Sequence, residues 1–190
     1  MKFVSRSIIQ IGRELSDLDV FAIDFVKILR KHTKYVIISG YVSILLGRAR
    51  ASEDIDIIIP KMDFSKFNLL LKDIKQNNFY CLNTEEDKEV YEYIKDKFAV
   101  RFAKKNTVIP NIELKFIKNK IDEITLNNTI KVKLGKEELI ISHLELQIAF
   151  KEIVLKSPKD IEDARHIRNI AKGHLDDSLI KKYEVMLNEF

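Results

Sequence analysis

Asp54 and Asp56 are the residues best placed to do chemistry, in the run Asp54-Ile55-Asp56-Ile57-Ile58-Ile59. If this run is a strand, alternation sends both carboxylates to one face and Ile55 and Ile57 to the other. Like charges so close repel, so the face must be well solvated or hold a cation between them. Hard divalent ions such as magnesium or manganese take oxygen ligands, and one or two carboxylates with phosphate oxygens form a usual set. An acid-x-acid triplet alone is also common on exposed strand ends, so its neighbours decide its meaning.

Ser39-Gly40 lies upstream between an apolar strand and an apolar helix, where N–H groups at a helix start can cradle a phosphate. Gly40 permits close approach of the backbone, and an ordinary tight turn is the bland alternative. Arg48 and Arg50 fall between the turn and the acids, as groups that neutralise triphosphate charge or as plain surface arginines. Further on, a helical wheel over 144–156 places Lys151 among Leu144, Ile148, Val154 and Leu155. A lysine facing inward is costly unless it meets an anion or snorkels to the rim. Asp160 projects near Ala164, Ile167 and Ala171, either pointing inward or serving a helix start.

The stretch SGYVSILLGRARASEDIDIII resembles the nucleotidyltransferase superfamily, in which glycine followed by glycine or serine precedes an acid-x-acid pair by a similar interval. Gly47, Arg50 and Ser52 fit the version seen in small prokaryotic and archaeal members, including toxin-like nucleotidyltransferases of abortive-infection systems. Ser39 stands where a first glycine is common. The resemblance implies an α/β fold with a mixed sheet flanked by helices, and a catalytic acid triad holding Mg2+ or Mn2+. It also implies transfer of a nucleoside monophosphate from a triphosphate to an acceptor, with pyrophosphate release. Ser39, Gly40, Arg48, Arg50 and Ser52 would contact the nucleotide. The family's third acid comes from a strand beside the acid-x-acid strand, and the candidate is Glu113 in NIELKFIK, on the side of Lys115 and opposite Ile112, Leu114 and Phe116. The tail FKEIVLKSPKDIEDARHI is similar to the C-terminal pattern of the same toxin-like relatives. It adds Lys151 as a catalytic position and Lys159, Asp160 and Asp163 as nucleotide-binding positions.

Several elements must position these groups. Ser16 with Asp19 forms a capping box opening a helix to about His32. A short strand over 35–39 leads through Gly40 to a helix over 42–46, and the strand 54–59 ends at Pro60. Helices are expected over 64–78 and 85–95, then strands over 98–103 and 112–117 joined as a hairpin, and a weaker pair flanking Gly135. Ser142 with Glu145 suggests a second capping box and Ser157-Pro158 with Asp160 a third, and the last helix spans 176–188. The expected organisation is an α/β domain over 1–141 with a C-terminal helical segment over 142–190, the first and last helices being decoration.

Composition limits the rest. The 190 residues are 46% hydrophobic, enough for a real core, and the single cysteine, Cys81, excludes a disulfide scaffold. The start is too interrupted by charge for a signal peptide, and no segment approaches the roughly 18 apolar residues of a membrane span. A cytoplasmic protein is expected. Thirty-three basic against 29 acidic residues give +4. The lysines thicken after Arg101, which suits a polyanionic partner or simply a solvated surface. The expected partners are a nucleoside triphosphate and an acceptor, either RNA such as tRNA or a protein hydroxyl, with a cognate antitoxin as a further partner. The alternative is a non-catalytic nucleic-acid-binding or toxin-antitoxin partner protein that keeps the fold.

Overall fold

In the computed structural model, which describes residues 1–189, the chain builds one mixed sheet of nine strands flanked by helices. The elements begin with β1 (Lys2–Ser5), β2 (Ile8–Ile11), α1 (Asp17–Leu29), β3 (Val36–Ile38), α2 (Gly40–Leu45), β4 (Asp54–Ile59) and α3 (Phe64–Gln76). They continue with β5 (Phe79–Cys81), α4 (Asp87–Lys95), β6 (Val100–Lys104), β7 (Asn111–Phe116), α5 (Lys120–Asn127), β8 (Thr129–Leu134) and β9 (Glu137–Ser142). Helix α6 (Leu144–Phe150) runs on into a π-helical turn (Lys151–Leu155), followed by α7 (Pro158–Ile170) and α8 (Asp177–Asn188). The strand order is β1-β2-β8-β9-β3-β4-β7-β6-β5. Strand β4 is therefore central, antiparallel to β3 and parallel to β7.

The two faces of β4 are unlike. Ile55, Ile57 and Ile59 sink into the main core with Phe25 of α1 and Phe67, Leu70 and Leu71 of α3. On the other face Ile58 packs with Val36 and with Leu126 of α5, a smaller cluster that covers only that end of the strand. Asp54 and Asp56 lie on this second face, beyond the apolar cover. The expected alternation thus holds, and it leaves the acids where side chains of other elements can meet them.

Helix α1 carries the expected capping box: the Ser16 hydroxyl accepts from the Asp19 N–H, and the Asp19 carboxylate accepts from the Ser16 N–H at 2.8 Å. This helix is no decoration. Phe21, Phe25, Val26 and Leu29 are core residues, and Asp19, fully enclosed, accepts from Tyr41 at 2.7 Å and from Arg13. Burial and the Asp19 charge push the Tyr41 hydroxyl far above its ordinary range. Helix α8 is equally integrated, with Tyr183 and Leu187 packing on Leu146 and Ala149 of α6.

The third capping box forms in part: Ser157 accepts from the Asp160 N–H with Pro158 at the first helical position, but the Asp160 carboxylate meets the Ser157 hydroxyl rather than its N–H. The second does not. Ser142 is still extended in β9, the residue before α6 is His143, and neither supplies a side-chain cap. The Ser142 hydroxyl instead accepts from the Gln147 amide, and Glu145 accepts from the Asp176 N–H at 3.0 Å. Strands β1, β2 and β5 and helix α5 are additions to the elements expected from the sequence pattern.

Candidate active site

Strand register assembles the acids. Asp56 is paired with Ile38 of β3 on one side and with Glu113 of β7 on the other, while Asp54 pairs with Asn111. Because β4 and β7 are parallel and in register, Asp54, Asp56, Asn111, Glu113 and Lys115 all project from one face. The Ser39-Gly40 turn begins immediately past Ile38, so register brings it beside Asp56. A cavity of about 230 Å³ opens there, lined among others by Ser39, Asp56, Lys115, Ser142 and Gln147.

Ser39 holds φ 66° and ψ −138°, a conformation nearly reserved for glycine, and its side chain makes no cap bond to α2. The serine therefore holds a strained backbone at a cost. Gly40 is used for close approach, because a Cβ there would lie 3.0 Å from Arg50 Nη2 and 3.1 Å from Nη1. The Arg50 guanidinium thus lies flat against the turn.

The charges around the acids are specific. Lys115 Nζ is 2.5 Å from Asp56 Oδ1 and 3.0 Å from Glu113 Oε2. Arg101 of β6, directly opposite Glu113 in the ladder, donates to Glu113 Oε1 through Nε at 2.8 Å and Nη2 at 2.6 Å. Burial pushes the Asp56 carboxyl above the usual carboxylate range despite Lys115. Burial acts the same way on Glu113, but Arg101 and Lys115 outweigh it and hold that carboxyl below its ordinary value. Desolvation disfavours the Lys115 charge, yet Asp56 and Glu113 more than restore it. Ser52 donates to Asp54 Oδ1 at 3.2 Å and to the Asp54 carbonyl at 3.0 Å.

Among the described residues no donor reaches Asp54 Oδ2 or Asp56 Oδ2. Two hard oxygens therefore remain open on one face, a donor set that suits a divalent cation completing its shell from phosphate and water. No three His, Cys, Asp or Glu side chains converge as a ready-made cage among the described residues.

The C-terminal residues singled out in the sequence meet each other and the two arginines. Lys151 is fully enclosed, with Nζ 2.8 Å from Asp163 Oδ2 and 3.2 Å from Asp160 Oδ1. Asp163, also fully enclosed, accepts from Arg50 Nη1 at 2.6 Å and from Arg48 Nη1, which donates also to the Lys159 carbonyl at 2.9 Å. Burial raises the Asp163 carboxyl, but Lys151, Arg48 and Arg50 prevail and lower it. The lysine that needed an anion thus finds two within the chain. Lys159 itself is exposed and contributes its main chain. This network ties α7 to the segment between α2 and β4, so Lys151 and Asp163 act on the turn through Arg50.

The lysine-rich stretch after Arg101 is partly neutralised: Lys104 pairs with Asp24 at 2.5 Å and Lys131 with Glu138 at 3.1 Å. Lys105, Lys118, Lys120, Lys133 and Lys136 are exposed. Arg101 was not among the candidates, although the hairpin that sets it opposite Glu113 was legible.

No protein-family model matches the chain, and no curated protein matches it in sequence. Solved structures do match in fold. ANT(2")-Ia, in complex with adenylyl-2"-tobramycin, is similar with TM-score 0.57 and 12% identity, over 92% of this chain and 98% of that one. An antigenic nucleotidyltransferase-like protein from Paracoccidioides brasiliensis is similar with TM-score 0.53 and 16% identity, over 92% and 89%. The fold is nucleotidyltransferase-like, a mixed sheet flanked by helices as the sequence resemblance implied. Among the described residues, no helix is long and apolar enough to cross a membrane.

Proposed function

We propose that the chain is a metal-dependent nucleotidyltransferase that moves a nucleoside monophosphate from a triphosphate to an acceptor hydroxyl and releases pyrophosphate. The observation that carries this reading is the register of β3, β4 and β7, which sets Asp54, Asp56 and Glu113 on one face beside the Ser39-Gly40 turn. Asp54 and Asp56 would hold Mg2+ or Mn2+, with Glu113 as the third acid. The ion would neutralise phosphate charge and orient an in-line displacement. Gly40 and the flat guanidinium of Arg50 would receive the triphosphate, with Arg48 beside it, while Asp163, itself held with Asp160 by Lys151, keeps the arginines in place. Ser52 fixes the Asp54 carboxylate through its hydroxyl.

The acceptor is drawn from RNA, tRNA included, or from protein hydroxyls. The resemblance of the tail FKEIVLKSPKDIEDARHI to that of toxin-like nucleotidyltransferases favours a protein that works beside a cognate antitoxin. Incubating the pure protein with each α-labelled triphosphate, Mg2+ and cell extract should label a macromolecule, and nuclease or protease digestion then identifies its class. A metal acting as Lewis acid supplies several kcal/mol, so Asp54→Asn and Asp56→Asn should each lower labelling by about 100-fold or more. Equal labelling by wild type and both variants with all four nucleotides would remove the enzymatic reading.

A further inference from the structure

The face that carries the acids also carries two cations, and their placement is not that of an ordinary surface pair. Lys115 Nζ stands between the two neighbouring carboxylates of adjacent strands, 2.5 Å from Asp56 Oδ1 and 3.0 Å from Glu113 Oε2. Its side chain is only 23% exposed, against 16% for Asp56 and 11% for Glu113. The other oxygen of Glu113 receives two donors from Arg101. Both Glu113 oxygens are thus engaged by fixed positive charge, whereas Asp54 and Asp56 each keep one oxygen open.

We infer that Lys115 is the built-in second cation of this site, occupying the position between Asp56 and Glu113, so that the chain binds one divalent metal with its triphosphate rather than two. This inference rests on the nucleotidyltransferase reading and sharpens it. Charge counting supports it: three carboxylates face Lys115 and Arg101, which leaves one net negative charge. One divalent ion reverses that to a single positive charge facing a polyanionic substrate, while a second would add two more beside an ammonium it must displace. Displacement is costly here because Lys115 would leave a half-buried position and give up its contacts to both Asp56 and Glu113. Glu113 then has a different task from that of a metal ligand or base. With one oxygen engaged by Arg101 and the other by Lys115, it positions Lys115 against Asp56. Lys115 also lines the cavity beside Ser39, where its ammonium can reach a bound phosphate oxygen.

The test counts metal. Wild-type protein saturated with a non-hydrolysable triphosphate analogue is titrated with Mn2+, and bound Mn2+ is read by electron paramagnetic resonance. The expected count is one per chain in wild type, one in Lys115→Arg, which keeps the charge, and two in Lys115→Met, which opens the Asp56–Glu113 position. Two ions in wild type, the result if the ammonium is simply displaced, overturn the inference without help from any variant. One ion in a folded Lys115→Met protein also overturns it. Both of those outcomes leave the nucleotidyltransferase reading intact provided Asp54→Asn/Asp56→Asn abolishes the binding. A wild type that binds no Mn2+ beyond the free analogue's own, or a double variant that binds as wild type does, removes the underlying reading and the inference together.

Discussion

Replacing Asp163 by asparagine should destabilise the protein more than any other single change in the charge network. The carboxylate is fully enclosed and serves three cations: Lys151 at 2.8 Å, Arg50 at 2.6 Å and Arg48. Asparagine keeps the shape and one accepting oxygen but leaves those three charges with Asp160 as their remaining carboxylate. Breaking a buried pair in this way costs about 3–5 kcal/mol, a large part of the roughly 5–15 kcal/mol that holds a domain together. At about 2–4 °C per kcal/mol for a chain of this size, the melting temperature at pH 7 should fall by roughly 6–20 °C. Lys151→Met should cost less, because Asp163 then still faces two guanidiniums. The acid limb checks the same assignment. The Asp163 carboxyl is lowered on folding, so the unfolded chain binds more protons in that range. Its contribution is therefore complete above the unfolded value of about 3.9 and is lost as pH falls through the lower folded value. The gap between wild type and Asp163→Asn should shrink as melts followed by circular dichroism are taken from pH 7 to about pH 3. A variant melting within about 2 °C of wild type at pH 7, or a larger loss from Lys151→Met, would refute the reasoning, since about 2 °C corresponds to at most about 1 kcal/mol here.

Two changes at the turn report on it directly. Ser39→Gly relieves a backbone conformation that costs a side chain about 1–3 kcal/mol, offset by the roughly 0.5–1 kcal/mol entropy of glycine, so melting should rise by about 2–4 °C. A fall would show that the serine hydroxyl holds something the backbone geometry does not reveal. Gly40→Ala places a Cβ against Arg50, which can yield only by loosening its bond to Asp163. Calorimetric titration with a non-hydrolysable triphosphate and Mg2+ should show affinity weakened by about tenfold, equivalent to about 1.4 kcal/mol, with the fold intact, and unchanged affinity would separate Arg50 from the triphosphate.

Local patterns were legible where neighbours in sequence are also partners in space. The capping box at Ser16 and the N-cap at Ser157 close within one helical turn, and the alternation of β4 is a property of the strand itself. Ser142 and Glu145 have the same spacing as a capping box, yet the chain is still extended at Ser142, held there by its ladder with β8. Tertiary pairing overrode the local motif. Strands β1 and β2 have four residues each and β5 three, too few for alternation to stand above noise, and they exist because a parallel or antiparallel neighbour completes their hydrogen bonds. Helix α5 is short and begins Lys120-Ile121-Asp122-Glu123, so its few apolar positions gave little periodicity.

The site divides along the same line. Which side chains share a face follows from strand parity, and parity placed Asp54 with Asp56 and Glu113 with Lys115. Which charge neutralises which depends on register between distant segments, and that was legible only in part. Arg48 and Arg50 have the spacing of groups waiting for phosphate, but Asp163, more than a hundred positions later, claims both through α7. Arg101 was recoverable in principle, since the hairpin joining its strand to that of Glu113 was expected and needed only its register to set the two opposite each other. The consequence reaches chemistry. A triad read from carboxylates alone predicts three equivalent metal ligands, whereas a triad read with its cations has two open acids and one whose oxygens are already taken. On the inference drawn above, the same three acids would serve a one-ion rather than a two-ion site because of the lysine two residues beyond Glu113.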